Sequence, residues 1–326
     1  MDSYLLCFFV FLLSLLLTVM IELKLLPLLR TKAQQPIYAE GPSWHLSKSG
    51  TPTMGGVAFV LAITISLLIS SLILFVHSER KLYGISLIIT MLFALGNSLI
   101  GVFDDMMKLL RKKNAGLTPM QKILLQTVLA VIFLMARRRF FSDSTKVEFS
   151  FFTLDLGIFY YPIALILILG VVNCANLTDG IDGLATSVGA TVGVMFLILG
   201  QSFCDTPITS SALIGGTLGF LLFNSHPAKI FMGDTGSLFI GAIAVGLAFS
   251  VNNPWTVVLI GGVYVIEGLS VILQVLVFKL TRKRLFKMAP LHHHLEKCGM
   301  GENKICVLAV IVTIVLSALV PFVLRI

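Results

Sequence analysis

Long apolar stretches that recur from one end of the chain to the other constrain its fold more than any other feature. A helix needs about 20 consecutive apolar residues to cross the hydrocarbon core of a membrane. Windows near this length lie at residues 4–26, 54–76, 82–103, 119–136, 159–172 with its flanks, 183–199, 208–223, 236–251, 255–280 and 304–326. We therefore predict an all-α integral membrane protein with ten transmembrane helices.

The composition supports a membrane protein and indicates no boundary between domains. Of the 326 residues, 57% are hydrophobic and 12% are charged, and the mean hydropathy is +0.98. Soluble domains contain about 25% charged residues. Because no polar linker is long enough to separate a second unit, we predict one membrane domain over residues 1–326.

The positions of the basic residues predict the orientation of the chain. The net charge of +8 could indicate nucleic-acid binding, but most of the Lys and Arg residues lie beside predicted membrane helices. They gather on the face where the odd-numbered helices end, and such a bias is typical of the cytoplasmic side. We therefore predict extracytoplasmic termini and no nucleic-acid partner. The triplet Arg137, Arg138 and Arg139 fits this pattern worst, since it falls on the opposite face.

A short segment on the predicted outer face has the pattern of two strands. Residues 146–156 alternate apolar and polar side chains, include aromatic residues and are followed by Gly157. This pattern predicts a short extracytoplasmic β-hairpin.

Acidic residues follow three of the apolar stretches on the predicted cytoplasmic face. Asp104 and Asp105 follow the third stretch, Asp179 and Asp182 follow the fifth, and Asp234 follows the seventh. Ionisable groups at the ends of membrane helices need partners, because lipid offers none. The same face carries Lys48, Lys108, His292, His293 and His294. These positions predict a catalytic cleft that opens to the cytoplasm.

The acidic residues suit a magnesium-dependent reaction on a phosphorylated substrate. Two carboxylates about 4 Å apart repel by roughly 4 kcal/mol at an effective dielectric constant near 20, so Asp104 and Asp105 need a cation. Lys108 lies four residues after Asp104 and shares its helix face. Mg²⁺ prefers carboxylate oxygens and leaves room for waters and phosphates. The segment FMGDTGS around Asp234 adds glycines and hydroxyls at a helix start, where phosphate oxygens bind.

Each of these features also has an interpretation without function. Asp104 and Asp105 could be solvated residues at a helix end, and the glycine-rich aspartate turns could be ordinary connections. The histidine run could form a transition-metal site with Cys298. Because all of these residues fall on one face, a shared functional site explains them better than separate structural roles.

Five motifs in order along nearly the whole chain carry a resemblance to a known family. They are TPTMGG at 51–56, GVFDDMMK at 101–108, NCANLTDGIDGLA at 173–185, FNSHPAKIFMGDTGSL at 223–238 and APLHHHLEKCG at 289–299. With them the chain resembles the polyprenyl-phosphate N-acetylhexosamine-1-phosphate transferase superfamily. The last motif is most similar to the phospho-N-acetylmuramoyl-pentapeptide transferase branch. Cys174 and Ala175 are a small departure from the expected pattern.

The resemblance implies both an activity and a cellular setting. Such an enzyme transfers phospho-N-acetylmuramoyl-pentapeptide from its uridine diphosphate carrier to undecaprenyl phosphate, releases UMP and forms lipid I for peptidoglycan. It further implies a Mg²⁺ cofactor, a homodimer and a place in the bacterial inner membrane.

The resemblance also implies roles for residues of this chain. The metal ligand is Asp234, with Asp105 as the second candidate ligand and Asp104 close by. The uridine pocket consists of Lys48, Gly180, Ile181, Asp182, Asn224 and Phe231. Further polar residues of the cleft are Thr53, Lys122, Asn173, Asn176, Asp179, Gln274, His293 and His294. In this interpretation Asp104 takes a proton from the lipid phosphate or holds it through Lys108, and Asp105 orders the waters of the metal. The histidines, including His292, bind the pyrophosphate or UMP.

Two other functions and one other mechanism are alternatives. The nearest is a sister transferase that moves N-acetylglucosamine 1-phosphate onto the same lipid. A cation-coupled transporter belongs to another class, but transporters place ionisable groups near the middle of the membrane, whereas these acids lie at helix ends. We expect a one-step transfer, and a covalent aspartyl-phosphate intermediate is the alternative.

Overall fold

Apolar helices make up most of the structure, because a backbone in lipid must form its hydrogen bonds within its own segment. The computed structural model describes residues 3–33, 48, 50–111, 116–141 and 145–325. The helices in order are α1 (Ser3–Lys32), α2 (Gly56–Phe75), α3 (Lys81–Arg111), α4 (Pro119–Phe141), α5 (Tyr160–Thr178), α6 (Leu184–Leu199), α7 (Asp205–Asn224), α8 (Gly233–Ser250), α9 (Thr256–Ile260), α10 (Gly262–Thr281), α11 (Leu291–Lys297), α12 (Glu302–Ala318) and α13 (Val320–Val323).

The prediction of ten membrane helices is confirmed in part. Among the described residues, nine helices are long and apolar enough to cross a membrane, and α6 is a shorter apolar helix. At 1.5 Å per residue, the 16 residues of α6 extend about 24 Å, which is less than the roughly 30 Å of the hydrocarbon core. Where the structure describes the chain, the fold is all-α apart from one two-stranded hairpin.

Several helix boundaries differ from the predicted windows, and the differences have physical causes. The third window ends before the paired acids, but α3 continues through them to Arg111, because the protein provides partners for those carboxylates. The ninth window is interrupted at Gly261, between α9 and α10. The tenth is interrupted at Leu319, two residues before Pro321, which has no amide hydrogen to continue the hydrogen bonds of α12.

The structure contains the predicted hairpin, and its extracytoplasmic position stays a prediction. Strand β1 (Lys146–Glu148) pairs antiparallel with β2 (Thr153–Asp155), and Val147 lies opposite Leu154. Val147 is buried while its two neighbours in β1 are exposed, as expected from the alternation of side chains along a strand.

Helix α8 lies at the centre of the helix packing. It packs against α3 and α5, and 89% of its apolar window is buried. Glycines allow the backbones to approach closely. A Cβ atom at Gly101 of α3 would overlap the carbonyl group of Asp234 at the start of α8, and one at Gly56 of α2 would lie 2.6 Å from Cα of Gly236. The acidic end of α3 is therefore held directly against the first turn of α8.

Arg137 explains why the arginine triplet fits the charge pattern poorly. Its side chain is buried and donates hydrogen bonds to the carbonyl of Phe249 (2.7 Å) and the hydroxyl of Ser86 (3.3 Å). The Ser86 hydroxyl in turn donates to the buried carboxylate of Asp205. The guanidinium lies 4.3 Å from the ring centroid of Phe141. Arg137 therefore satisfies buried polar groups within the protein and carries little information about membrane orientation.

We expect Gly101→Ala to destabilise the protein by about 1–3 kcal/mol, the usual cost of overpacking, because the new methyl group meets rigid backbone. The measurement is the free energy of unfolding of the purified protein in detergent. Gly170→Ala on α5 is the matched control, since a Cβ there has no atom within 4 Å. Equal stability of the two variants would contradict the close packing of α3 on α8.

Candidate active site

The acidic residues at the ends of separate helices lie together, as the sequence predicts. Carboxylate oxygens of Asp104, Asp105 and Asp234 lie within 4.8 Å of one another. Helix α3 carries the first two and α8 carries the third, while Lys122 of α4 and Asn176 of α5 also reach Asp234. We call these residues, with Lys108, the acidic cluster.

Asp105 caps the first turn of α8. Its carboxylate accepts hydrogen bonds from the amide of Thr235 (3.0 Å), the hydroxyl of Thr235 (2.7 Å) and the amide of Asp234 (3.2 Å). Helix N-termini carry unpaired amides and a partial positive charge, and both favour a carboxylate there. One carboxylate oxygen of Asp105 is thus saturated by α8, whereas the other also faces Lys108 at 3.9 Å.

Asp104 forms the ion pair that the helix spacing predicts. Its carboxylate lies 2.6 Å from the ammonium of Lys108, one helical turn later, and 3.4 Å from that of Lys122. The amide of Leu117, in the segment before α4, donates to its second oxygen at 2.7 Å. Asp104 therefore ties the end of α3 to the start of α4.

Asp234 is held by side chains from three other helices. One oxygen accepts from Lys122 (2.5 Å) and Lys108 (3.1 Å), and the other accepts from the amide of Asn176 (2.9 Å). Asn176 also donates to the hydroxyl of Ser237 at 2.8 Å. Three separate helices thus fix the position of Asp234 at the start of α8.

The acidic cluster has the composition of a divalent-cation site. When all groups are ionised, its three carboxylates and two ammonium groups leave one net negative charge, and its oxygen ligands suit Mg²⁺. The buried hydroxyl of Thr53 has no hydrogen-bond partner among the described residues. A Cβ at Gly233 would lie 3.0 Å from that hydroxyl and 2.6 Å from the Asp105 carboxylate. An unpaired hydroxyl therefore lies near Asp105 at the edge of the acidic cluster.

A second polar group, the Lys48 cluster, surrounds the turn between α5 and α6. The ammonium of Lys48 lies 2.7 Å from Asp182 and 2.7 Å from Glu302 at the start of α12. Glu302 also accepts a hydrogen bond from the amide of Asp182 at 2.8 Å. His226 lies 2.9 Å from the Asp182 carboxylate, to which the amide of Ala228 donates at 3.0 Å. Four separate parts of the chain meet at Asp182.

The surroundings of Asp179 and Asp182 shift the pKa values of these two carboxyl groups in opposite directions. Burial acts to raise the pKa of Asp182, but the hydrogen bonds from Lys48 and Ala228 hold it below its ordinary value. Burial and the negative charges of Asp234 and Asp105 raise the pKa of Asp179 well above its ordinary value. Asp182 is therefore a stable anion at neutral pH, whereas Asp179 retains a proton more readily and adds less negative charge.

The remaining residues of the predicted uridine pocket lie around this turn. Ile181 is buried and Phe231 is half-buried. Asn224 donates to the carbonyl of Ile230 (3.0 Å) and accepts from the hydroxyl of Thr186 (2.6 Å), so its amide holds the loop that precedes α8. A Cβ at Gly180 would overlap the imidazole of His292, which explains the small residue there.

Comparison with known proteins identifies the family of this chain. The profile described as Glycosyl transferase family 4 matches residues 86–252, and the phospho-N-acetylmuramoyl-pentapeptide-transferase signature 1 matches residues 48–60. The phospho-N-acetylmuramoyl-pentapeptide-transferase of Halalkalibacterium halodurans is 42% identical over 90% of both chains. The chain belongs to the phospho-N-acetylmuramoyl-pentapeptide-transferase family. The transferase of Bacillus subtilis is 42% identical over 92% of both chains, and that of Clostridioides difficile is 39% identical over 90% of this chain and 89% of its own.

The regions of this chain that match the family profile and signature contain most residues of the two clusters. The family signature begins at Lys48, and the longer profile extends from α3 to the end of α8. It therefore includes all six residues of the acidic cluster and also Asp182, but it ends before Glu302 and the histidine run.

The three histidines of the transferase have separate partners. His292 is buried, and its amide lies 3.2 Å from Glu267, while the imidazole Nδ1 of His293 lies 2.6 Å from Glu296. His294 accepts a hydrogen bond from the amide of Lys287 at 3.1 Å. Within the described chain, no group of three possible metal ligands includes any of these histidines. The thiol of Cys298 lies 3.8 Å from Nε2 of His294, but no third ligand among the described residues completes the transition-metal site considered for this run.

Two of the predicted cleft residues form hydrogen bonds that support the surrounding structure. Asn173 donates to the side chain of Gln126 (2.7 Å) and to the carbonyl of Leu169 (2.8 Å). Gln274 accepts from the amide of Phe286 at 2.8 Å and so holds the segment that follows α10. Both side chains therefore already have protein partners in this structure.

Sequence reasoning missed Glu302 and His226. The search for acidic residues considered only those that follow an apolar stretch, whereas Glu302 precedes the last one. Since helix ends alternate between membrane faces, the start of the tenth stretch lies on the same face as the end of the ninth, so Glu302 could have been found by the same argument. His226 lies within a quoted motif, but nothing in the spacing singles it out.

We expect Asp105→Asn to reduce the stability of the transferase by about 1–2 kcal/mol, because α8 loses its charged N-terminal cap. Thermal unfolding in detergent measures this loss. Glu79→Gln makes the corresponding change from an acid to an amide at an exposed position and should have little effect. If the Asp105 variant unfolds at the wild-type temperature, Asp105 does not stabilise α8.

Proposed function

We propose that this protein transfers phospho-N-acetylmuramoyl-pentapeptide from UDP-N-acetylmuramoyl-pentapeptide to undecaprenyl phosphate, which releases UMP and forms lipid I. The observation that carries the proposal is the position of the acidic cluster beside the Lys48 cluster in a chain of this family. The acidic cluster provides ligands for a metal–phosphate complex. The Lys48 cluster provides polar groups for a nucleotide.

The reaction requires charge neutralisation more than covalent chemistry. An oxygen of the lipid phosphate attacks the sugar-linked phosphorus, and the bond from that phosphorus to the UMP oxygen breaks. Both reactants are anionic, so positioning and electrostatic stabilisation provide most of the acceleration in reactions of this type. Lys108 and Lys122, which are already held by Asp104 and Asp234, supply positive charge where the phosphates must meet.

The acidic cluster is the proposed Mg²⁺ site. Asp234 and Asp105 are the candidate ligands, and Asp104 lies within reach of both. These residues would hold Mg²⁺, which would supply positive charge to offset the negative charge of the phosphates. Because one oxygen of Asp105 is saturated by α8, only its other oxygen is suited to contact the ion or its waters.

The contacts of Asp234 support a one-step transfer. Two ammonium groups and one amide surround its carboxylate, and such partners withdraw the electron density that a nucleophile needs. Asp104 then acts as the group that holds or accepts the proton of the lipid phosphate, through its ion pair with Lys108. A covalent aspartyl-phosphate would require Asp234 to lose most of these contacts first.

The proposal includes a setting for the enzyme. The chain is one multi-pass membrane unit of the bacterial inner membrane, and both clusters face the cytoplasm, where the nucleotide sugar is present. The excess of basic residues on that face supports this orientation. We also propose a homodimer, as the resemblance described above implies.

The proposed function is tested by release of UMP from purified protein supplied with undecaprenyl phosphate and Mg²⁺. We expect release with the muramoyl-pentapeptide nucleotide and little with UDP-N-acetylglucosamine. Removal of Mg²⁺ with a chelator should abolish it. Asp234→Asn should reduce the rate by at least about 100-fold, the scale of losing one electrostatic contact in a transition state. Efficient use of UDP-N-acetylglucosamine would instead favour the sister transferase.

Glu302→Gln should weaken binding of the nucleotide donor. The variant removes a charge-assisted partner of Lys48 and leaves the acidic cluster intact. Such a hydrogen bond contributes about 1.5 kcal/mol or more, so we expect the KM for the donor to rise about 10-fold with kcat nearly unchanged. Lys304→Gln, two residues later and exposed, is the matched control. A fall in kcat at constant KM would contradict this role for Glu302.

A further inference from the structure

A groove between α4 and α5 lies at the far end of these helices from the acidic cluster. Lys122 and Asn176 mark the cluster end, and Arg138 and Tyr161 mark the groove end. At 1.5 Å per residue, each helix separates the two ends by about 22–24 Å, which approaches the thickness of a bilayer core. The groove therefore lies near the opposite membrane surface from the catalytic residues.

The groove combines an apolar interior with a cationic rim. Its volume is about 920 Å³, at the upper end of the range for small-molecule sites. The described lining residues are Val131, Leu134, Met135, Ala136, Arg138, Arg139, Phe140, Tyr161, Pro162 and Leu165. Two of them are arginines and none is acidic. Both arginines are exposed, and the guanidinium of Arg139 lies 5.8 Å from the ring centroid of Phe140.

A second cavity at the same end of the molecule is of similar size but lacks a pair of arginines at its rim. It has a volume of about 770 Å³ and is lined by residues of α1, α3, α6 and α7 and of the segment between α6 and α7, including Cys7, Val194 and Ser211. None of its described lining residues is charged. Size and apolar character are therefore shared by the two cavities, whereas the arginine pair is not.

We propose that the α4–α5 groove binds an anionic glycerophospholipid, with its acyl chains along the apolar interior and its phosphate between Arg138 and Arg139. Guanidinium groups bind phosphate oxygens through paired hydrogen bonds, and basic pockets between membrane helices favour anionic head groups. A zwitterionic lipid fits less well, because its ammonium group would lie close to two further cations. This lipid site is separate from the catalytic site and places a structural lipid at the opposite membrane surface.

The test is native mass spectrometry of the full-length protein in detergent with equal amounts of phosphatidylglycerol and phosphatidylcholine. Two basic residues near an anionic head group should give a preference of about 30-fold for phosphatidylglycerol in the wild type. Arg138→Gln/Arg139→Gln should abolish the preference. Ala136→Trp, which fills the groove and retains both arginines, should abolish it too. Val194→Trp fills the uncharged cavity, and Arg325→Gln removes an exposed charge elsewhere, so both should keep the preference.

Other outcomes overturn the proposal. An unchanged lipid preference in both groove variants excludes this groove as the site. Full competition by soluble glycerol 3-phosphate would indicate a simple anion site without a role for the acyl chains. If the groove variants alter the monomer–dimer equilibrium but not lipid binding, a second copy of the chain covers the groove. Circular dichroism and size-exclusion elution identify any variant that fails to fold, and the other groove variant then decides.

Discussion

The carboxylate of Asp105 at the first turn of α8 is the interaction on which the site depends. It pairs with amides and a hydroxyl that α8 would otherwise leave unsatisfied in a membrane protein. Gly101 makes this contact possible, because only a residue without a side chain lets α3 approach the carbonyl of Asp234. The helix start and the acidic end of α3 therefore position each other, and Asp234 is fixed as a consequence.

Charge balance explains why so many ionisable groups can share one end of a membrane protein. Each carboxylate of the acidic cluster has a cation or several hydrogen-bond donors as partners. The Lys48 cluster repeats this arrangement with Asp182 and Glu302 around a single ammonium group. Removal of one partner would leave a buried charge uncompensated, which costs far more than the net contribution of a satisfied pair. The clusters thus stabilise the fold while they hold groups suited to bind phosphates.

The arginine triplet illustrates how one sequence pattern can contain two physical roles. Arg137 is buried and satisfies the end of α8, whereas Arg138 and Arg139 are exposed at the rim of a groove. Consecutive residues on a helix point about 100° apart, so neighbours with the same charge can lie in different environments. A count of basic residues on each membrane face does not distinguish buried arginines from exposed ones. For this reason the triplet disagreed with the predicted orientation.

The sequence by itself determined the membrane class, the approximate positions of the apolar helices, the hairpin and the gathering of acids at one end. These properties follow from local composition and from the fact that successive membrane helices end on alternate faces. That alternation does not depend on how the helices pack against one another. Only the tertiary structure decided that Asp105 caps α8, that Lys122 reaches Asp234, and that Glu302 shares Lys48 with Asp182. Those contacts join residues more than a hundred positions apart and depend on the rotation and depth of each helix, which no local pattern encodes.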